Sequence, residues 1–225
     1  STFAPLPNEI IDKMIVKSVK IAEVSDPHLG SKDQQISLLK KAYQIGDEEN
    51  VDLYINPGDV SDGCGSVGYR AHGKDVFIDG YTEQKEYIIA NYPKSGNGKK
   101  TIIIHGNHDW WDFESFGGNI VKEICEARPD MQYGDYPSYL LEHNGFKILV
   151  FHPGGGSSYA LSYQIQKHII NQLRNKKTRV DAIFFGHYHK ALYMVYAGVH
   201  AFLGASLKGY DEFHEKLSLP QAIGM

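Results

Sequence analysis

Cysteine is almost missing: Cys64 and Cys125 are the only two in 225 residues. They lie far apart and follow no Cys-x-x-Cys spacing, which excludes a disulfide framework and a thiolate zinc site. A reducing, cytoplasmic setting is expected. An excess of one charge is missing as well. With 23 Lys and Arg against 27 Asp and Glu, a formal net charge of −4 and a pI near 6.2, the chain cannot coat nucleic acid through charge alone. No apolar run approaches the ~20 residues that a membrane span needs, and residues 1–20 lack the apolar core of a signal peptide. No membrane partner is expected. Internal repeats and low-complexity stretches are absent too, and the chain opens on Ser1 rather than Met, as a processed chain or part of a longer one would.

What is present is enough apolar residue, 42% of the chain, to bury one sizeable core. We expect one domain over residues 1–225, with 1–17 an irregular lead-in, where Asn8 is placed to cap a short helix through Met14. Strands are expected at Ser18–Val24, Asp52–Asn56, Ile102–Ile104, Tyr139–Glu142, Phe146–Phe151, Ala182–Phe185, Leu192–Tyr196 and Val199–Leu203. Asn144-Gly145 and Ala197-Gly198 mark two hairpins. Helices are expected at Gln34–Glu49, Thr82–Asn91, Asn119–Ala127 and Tyr159–Arg174. Residues 61–80 are rich in glycine without period 2 or 3.6, so they read as a long functional loop, and the tail from Lys208 reads as irregular.

The chain is organised around Ile102-Ile103-Ile104-His105-Gly106-Asn107-His108-Asp109, a β-branched run that stops at a glycine and then offers three metal-binding or proton-moving side chains. Four other stretches break in the same way: Asp26-Pro27-His28, Gly58-Asp59-Val60-Ser61-Asp62, His152 and Gly186-His187-Tyr188-His189. Strands that deliver polar groups at their carboxyl ends build a site where a sheet opens to solvent. Asp, His and Asn supply mixed oxygen and nitrogen donors without thiolate, a set suited to Mn or Fe and tolerant of Zn. The i, i+2 spacing of Asp26 with His28 and of His187 with His189 lets each pair chelate if the backbone stays extended.

These five motifs, in this order, resemble the calcineurin-like metallophosphoesterase superfamily, whose pattern is Asp-x-His, Gly-Asp-x-x-Asp, Gly-Asn-His-Asp/Glu, His and Gly-His-x-His. The resemblance implies an α/β protein, a four-layer α/β/β/α sandwich of two mixed sheets flanked by helices. It implies two divalent ions, Mn2+ best with Fe or Zn as options. Asp26, His28 and His189 would hold one ion, Asn107, His152 and His187 the other, and Asp59 would bridge them. His108 would be the catalytic histidine, oriented by Asp62, with Asp109 competing for that role. The implied reaction is phosphoester hydrolysis by a water of lowered pKa, with His108 as acid to the leaving oxygen.

Gly63 stands where the protein serine/threonine phosphatases of the superfamily carry a phosphate-clamping arginine. The stretch from Gly186 to Phe202 is similar to double-strand-break repair nucleases, to the small exonuclease subunit of archaeal DNA polymerase D, and to phage and archaeal phosphoesterases. A phosphodiester in DNA, RNA or a nucleotide is therefore the expected substrate. A phosphomonoesterase or protein phosphatase is the rival enzyme, and a non-catalytic binding module on the same fold the rival of another class. Arg70 and His72, in the glycine-rich loop, are the candidates for substrate contact, with Lys74, Lys190 and Lys208 behind them. The basic runs around Lys94–Lys100 and Arg174–Arg179 precede strands and belong at the far end of the sheet. Trp110 and Trp111 are read equally as core or as a wall for a base, and Gly154–Gly156 as an anion cradle or a turn. His105, His143, His168, His200 and His214 match no motif and are read as structural or surface residues.

Overall fold

Alternation within each short strand decides which layers form. In β2 (Leu53–Asn56), Tyr54 turns to one side and meets helices, while Leu53 and Ile55 turn to the other and meet a second sheet. The same split recurs in every neighbouring strand, so two sheets stack with helices outside each. The computed structural model describes residues 18–64, 75–156, 160–176, 179–216, 218 and 220–225. The helix expected at 8–14, and residues 65–74 of the long loop with Arg70, His72 and Lys74, lie outside the described residues.

The first sheet has the order β1 (Ile21–Glu23), β2, β3 (Thr101–Ile103), β4 (Met131–Tyr133), with every pair parallel. Its connections run through α1 (Ile36–Glu48), α2 (Tyr81–Asn91), and α3 (Asn107–Phe116) with α4 (Ile120–Ala127). A helix must intervene each time because parallel neighbours cannot be joined by a tight turn. The second sheet has the order β5-β6-β7-β9-β8, made of β5 (Ser138–His143), β6 (Phe146–Phe151), β7 (Ala182–Phe185), β8 (Leu192–Tyr196) and β9 (Val199–Leu203). Two antiparallel hairpins flank parallel pairings of β6 with β7 and β7 with β9, and α5 (Leu161–Lys176) makes the crossover. Both hairpins turn through two left-handed residues, Asn144 (φ 50°) with Gly145 (φ 81°) and Ala197 (φ 52°) with Gly198 (φ 76°). A short helix, α6 (Glu212–Lys216), lies in the tail.

Three apolar clusters hold the layers together. Leu39, Tyr43, Ile88, Ile120 and Ile124 pack on Ala22, Tyr54 and Ile103 outside the first sheet. Ile55, Ile102, Ile104, Ile148, Val150 and Phe184 fill the space between the sheets. Ile165 and Ile169 of α5 pack on Leu149, Ile183 and Phe185 outside the second. The result is the expected α/β/β/α order. The first sheet, however, is parallel throughout its named strands rather than mixed, because all its connections cross over and none is a hairpin.

Three elements escaped sequence reading. Strand β4 spans three residues, Met-Gln-Tyr, without a β-branched side chain. Helix α3 starts inside a motif, and its aromatic residues hide the helical period. The tail from Lys208, expected to be irregular, carries the short helix α6, and Lys208 itself is fully buried. Arg128 is buried as well and ties the end of α2 to β4, donating to the carbonyls of Ile89, Tyr92 and Pro93 and to both carboxylate oxygens of Asp130. Ile55 is fully buried between the sheets. Ile55→Ala should lower unfolding stability by about 2–5 kcal/mol in a denaturant titration; a midpoint that does not move would contradict this packing.

Candidate metal centre

Each motif begins where a strand ends, so the functional side chains collect along the carboxyl edges of both sheets. The backbone then bends sharply. Asp26 (φ 48°), His28 (φ 44°), Asp59 (φ 50°), His187 (φ 78°) and His189 (φ 51°) all sit in the left-handed region. Asp and His tolerate it better than β-branched residues do, at a cost of about 1–3 kcal/mol each. The pairs Asp26/His28 and His187/His189 therefore converge through two left-handed turns, not through the extended backbone their spacing suggested. Gly106 lets the segments meet, since a Cβ there would lie 2.0 Å from Asp59 Oδ1.

Three overlapping groups of candidate metal-binding side chains result among the described residues, one of them His28, Asp62 and His108, and the other two share Asp59. In the first of those two, donor atoms of Asp26, His28, Asp59 and His189 lie within 4.8 Å of one another. His28 Nε2 is 3.2 Å from His189 Nε2, which is 3.7 Å from Asp26 Oδ1. In the second, Asp59, His152 and His187 lie within 4.8 Å of one another. Asn107 Oδ1 is 3.0 Å from His152 Nε2 and 2.9 Å from His187 Nδ1. Asp59 Oδ2 belongs to both, 3.6 Å from His28 Nε2 and 3.5 Å from His152 Nε2.

The outward hydrogen bonds of the imidazoles fix which nitrogen points inward. His28 Nδ1 donates to Asp62 Oδ1 (2.9 Å), His152 Nδ1 to the Pro57 carbonyl (2.7 Å), and His187 Nε2 to the Gly155 carbonyl. The other nitrogen of each ring then presents a lone pair to the centre. Around Asn107 Oδ1 two such lone pairs meet a carbonyl oxygen, an arrangement satisfied by a cation. Burial raises the Asp26 carboxyl to about 7, against the opposing hydrogen bonds from Ser25 and the His187 N–H. Burial, then the charges of Asp26 and Asp109, raise Asp59 well above the carboxylate range. Burial also lowers His152, His187 and His189, which favours the neutral, lone-pair form. Crowded carboxylates beside neutral imidazoles, with no thiolate, fit divalent ions of intermediate hardness.

Around this core, Asp109 takes the backbone N–H groups of Val60, Ser61 and Gly106 and the Ser61 hydroxyl at 2.8–3.1 Å, which locks the Asp59 turn to the start of α3. Asp109 is thus committed to backbone and does not orient His108. Asp62 meets His108, but through its main chain. His108 Nδ1 donates to the Asp62 carbonyl at 2.9 Å and lies 3.8 Å from Oδ1, which faces His28. The His108 ring packs 4.2 Å from that of Trp111. Trp110 is stacked between Phe113 (4.5 Å) and Tyr136 (4.4 Å), so neither of its faces is open to a base.

Among the remaining histidines, His105 is buried among Trp110, Tyr133 and Tyr136, while His168 pairs with the Tyr188 hydroxyl and His200 with that of Tyr193. His214 instead stacks on His189 at 5.4 Å. Lys208 is not available to a substrate phosphate: its ammonium lies 3.2 Å from Asp62 Oδ1 and 2.8 Å from Asp211 Oδ2. Ser25, Ser206 and Asp211 were missed by sequence reading, while Lys208 was assigned to a substrate phosphate and His214 to structure or surface. The only signal was the i, i+3 spacing of Lys208, Asp211 and His214, which surface pairs share.

A family model described as calcineurin-like phosphoesterase matches residues 19–191. Among solved structures, an archaeal phosphodiesterase is 16% identical, covering 83% of this chain and 84% of its own, with a TM-score of 0.48. The Yfce phosphoesterase from E. coli is 14% identical over 86% of this chain and 82% of its own, with a TM-score of 0.42. Vps29 from Entamoeba histolytica, in complex with zinc, is 12% identical over 85% and 77%, with a TM-score of 0.42. Asp59→Ala should remove at least one of two bound ions when the protein is loaded with Mn2+ and its metal content measured. Full occupancy in the variant would show that Asp59 does not join the two clusters.

Proposed function

The chain belongs to the calcineurin-like phosphoesterase family, and from that premise we propose that it hydrolyses a phosphodiester, in DNA, RNA or a nucleotide, with two divalent ions. The observation that carries the two-ion reading is Asp59 Oδ2, at nearly equal distance from an imidazole nitrogen of each cluster. Asp26, His28 and His189 would hold one ion, Asn107, His152 and His187 the other. When bound, such ions supply activation of a water and neutralisation of the phosphate oxygens it approaches. Mn2+ suits the mixed donor set best, with Fe or Zn as alternatives.

The chain's own groups do the rest. His108, held by the Asp62 carbonyl and braced by Trp111, keeps Nδ1 as a donor. Its Nε2 is then the atom that delivers a proton to the leaving oxygen. Two features favour a diester. A diester carries one negative charge, whereas an ionised monoester carries nearly two. Gly63 adds no cation beside the metals, and the Lys208 charge is taken up by Asp62 and Asp211. All seven ligand positions are filled, which speaks against a binding module without turnover.

Rates on bis-p-nitrophenyl phosphate and p-nitrophenyl phosphate, each with Mn2+, test the reading. Faster diester turnover supports it and faster monoester turnover refutes it. No turnover of either with Mn2+, Fe2+, Zn2+ or Ni2+ would point to the binding module. His108→Ala should keep both ions and lose about 10²–10⁴ in rate; loss of an ion would contradict the proton-delivery role.

A further inference from the structure

Behind the first cluster lies a line of buried polar side chains, three of which come from a segment beyond residue 191, where the family match ends. The segment carrying it is tied to the site by its backbone. The Leu207 N–H donates to the Ser25 carbonyl (2.9 Å), the Ser206 hydroxyl to the Asp26 carbonyl (3.0 Å), and the Ala222 N–H to the His189 carbonyl (2.8 Å). Lys208 follows and is fully buried, its ammonium between Asp62 and Asp211. Asp211 Oδ1 in turn accepts from His214 Nδ1 at 2.5 Å, and the His214 ring lies nearly parallel to that of His189 (5.4 Å, 21°). Burial would raise the Asp211 carboxyl, yet His214 and Lys208 outweigh it and hold Asp211 below the carboxylate range. The line Asp62–Lys208–Asp211–His214 backs two of the histidines in the first cluster, His28 through Asp62 and His189 through the His214 ring.

Stability alone does not account for such a lysine. Withdrawing an ammonium from water costs as much as its ion pairs return, and an apolar side chain of similar length would fill the space without that cost. Its position suggests a different use. Asp62 Oδ1 accepts from both Lys208 Nζ (3.2 Å) and His28 Nδ1 (2.9 Å), so the ammonium holds in place the oxygen that selects the His28 tautomer. We propose that Lys208 is a positioning residue for the ion held by Asp26, His28, Asp59 and His189, acting through Asp62 to keep the His28 proton on Nδ1 and Nε2 turned to the metal. This rests on the reading of His28 as a ligand.

The test compares Mn2+ binding by calorimetry, and the His28 15N resonances of the metal-free protein, for the unsubstituted chain, Lys208→Met, and Lys208→Met with Asp211→Asn. Both variants should bind one ion about 10–100-fold more weakly and the other within twofold. Their His28 should lose the single Nδ1–H form. Two ions bound as tightly as before, with an unchanged tautomer, would overturn the inference alone; an unsubstituted protein that binds no ion would overturn the ligand reading and the inference with it. Should Lys208→Met unfold, the double variant leaves no second buried carboxylate unpaired and carries the comparison. Should both unfold, the Lys208 Nζ resonance of the unsubstituted protein decides: it should move as Zn2+ is added, and a fixed resonance contradicts the coupling.

Discussion

One carboxylate oxygen, Asp59 Oδ2, organises the site. It lies within 3.6 Å of imidazole nitrogens from two separate clusters, in a pocket where burial disfavours negative charge. Five segments from both sheets must meet at that point. The sandwich allows it because both sheets end their parallel strands at one edge, so the residue after each strand starts within reach of the others. The apolar layers are what make that edge rigid. Ile55, Ile102 and Ile104 are packed between the sheets only a few residues before Asp59 and Asn107.

The cost of convergence is met locally. Five of the seven candidate ligands occupy left-handed backbone, a conformation a free chain would leave readily. Each turn is fastened from outside. The carboxylate of Asp109 gathers the N–H groups around the Asp59 turn, the Pro57 and Gly155 carbonyls take the outer nitrogens of His152 and His187, and Asp62 takes that of His28. The inner nitrogens are thereby left with lone pairs turned to the centre, in groups that could hold a cation. The same Asp62 serves two histidines by different atoms, its carboxylate for His28 and its carbonyl for His108, which links a candidate ligand and the proposed proton donor through one residue.

Much of this was legible in the sequence, and the reasons are physical. Strands Leu53–Asn56 and Ala182–Phe185 announce themselves as apolar runs cut off by Pro-Gly or Gly-His, and the hairpin at Asn144-Gly145 by its turn residues. The seven candidate ligands stand out because polar residues repeatedly follow such runs. What stayed hidden has no local signature. Strand β4 is three residues long, α3 grows from within a motif, and the left-handed turns at Asp26 and His189 are imposed by tertiary contacts. Lys208 read as a candidate for a substrate phosphate because no local pattern shows that Asp62, 146 residues away, will meet it in the interior.

A pair of cations flanking one shared carboxylate is the proposed core of the site. Anomalous scattering from a crystal of the protein loaded with Mn2+ tests this most directly. Two peaks about 3.5–4 Å apart, on either side of Asp59 Oδ2, are the predicted result. A single peak, or peaks remote from Asp59, would contradict it.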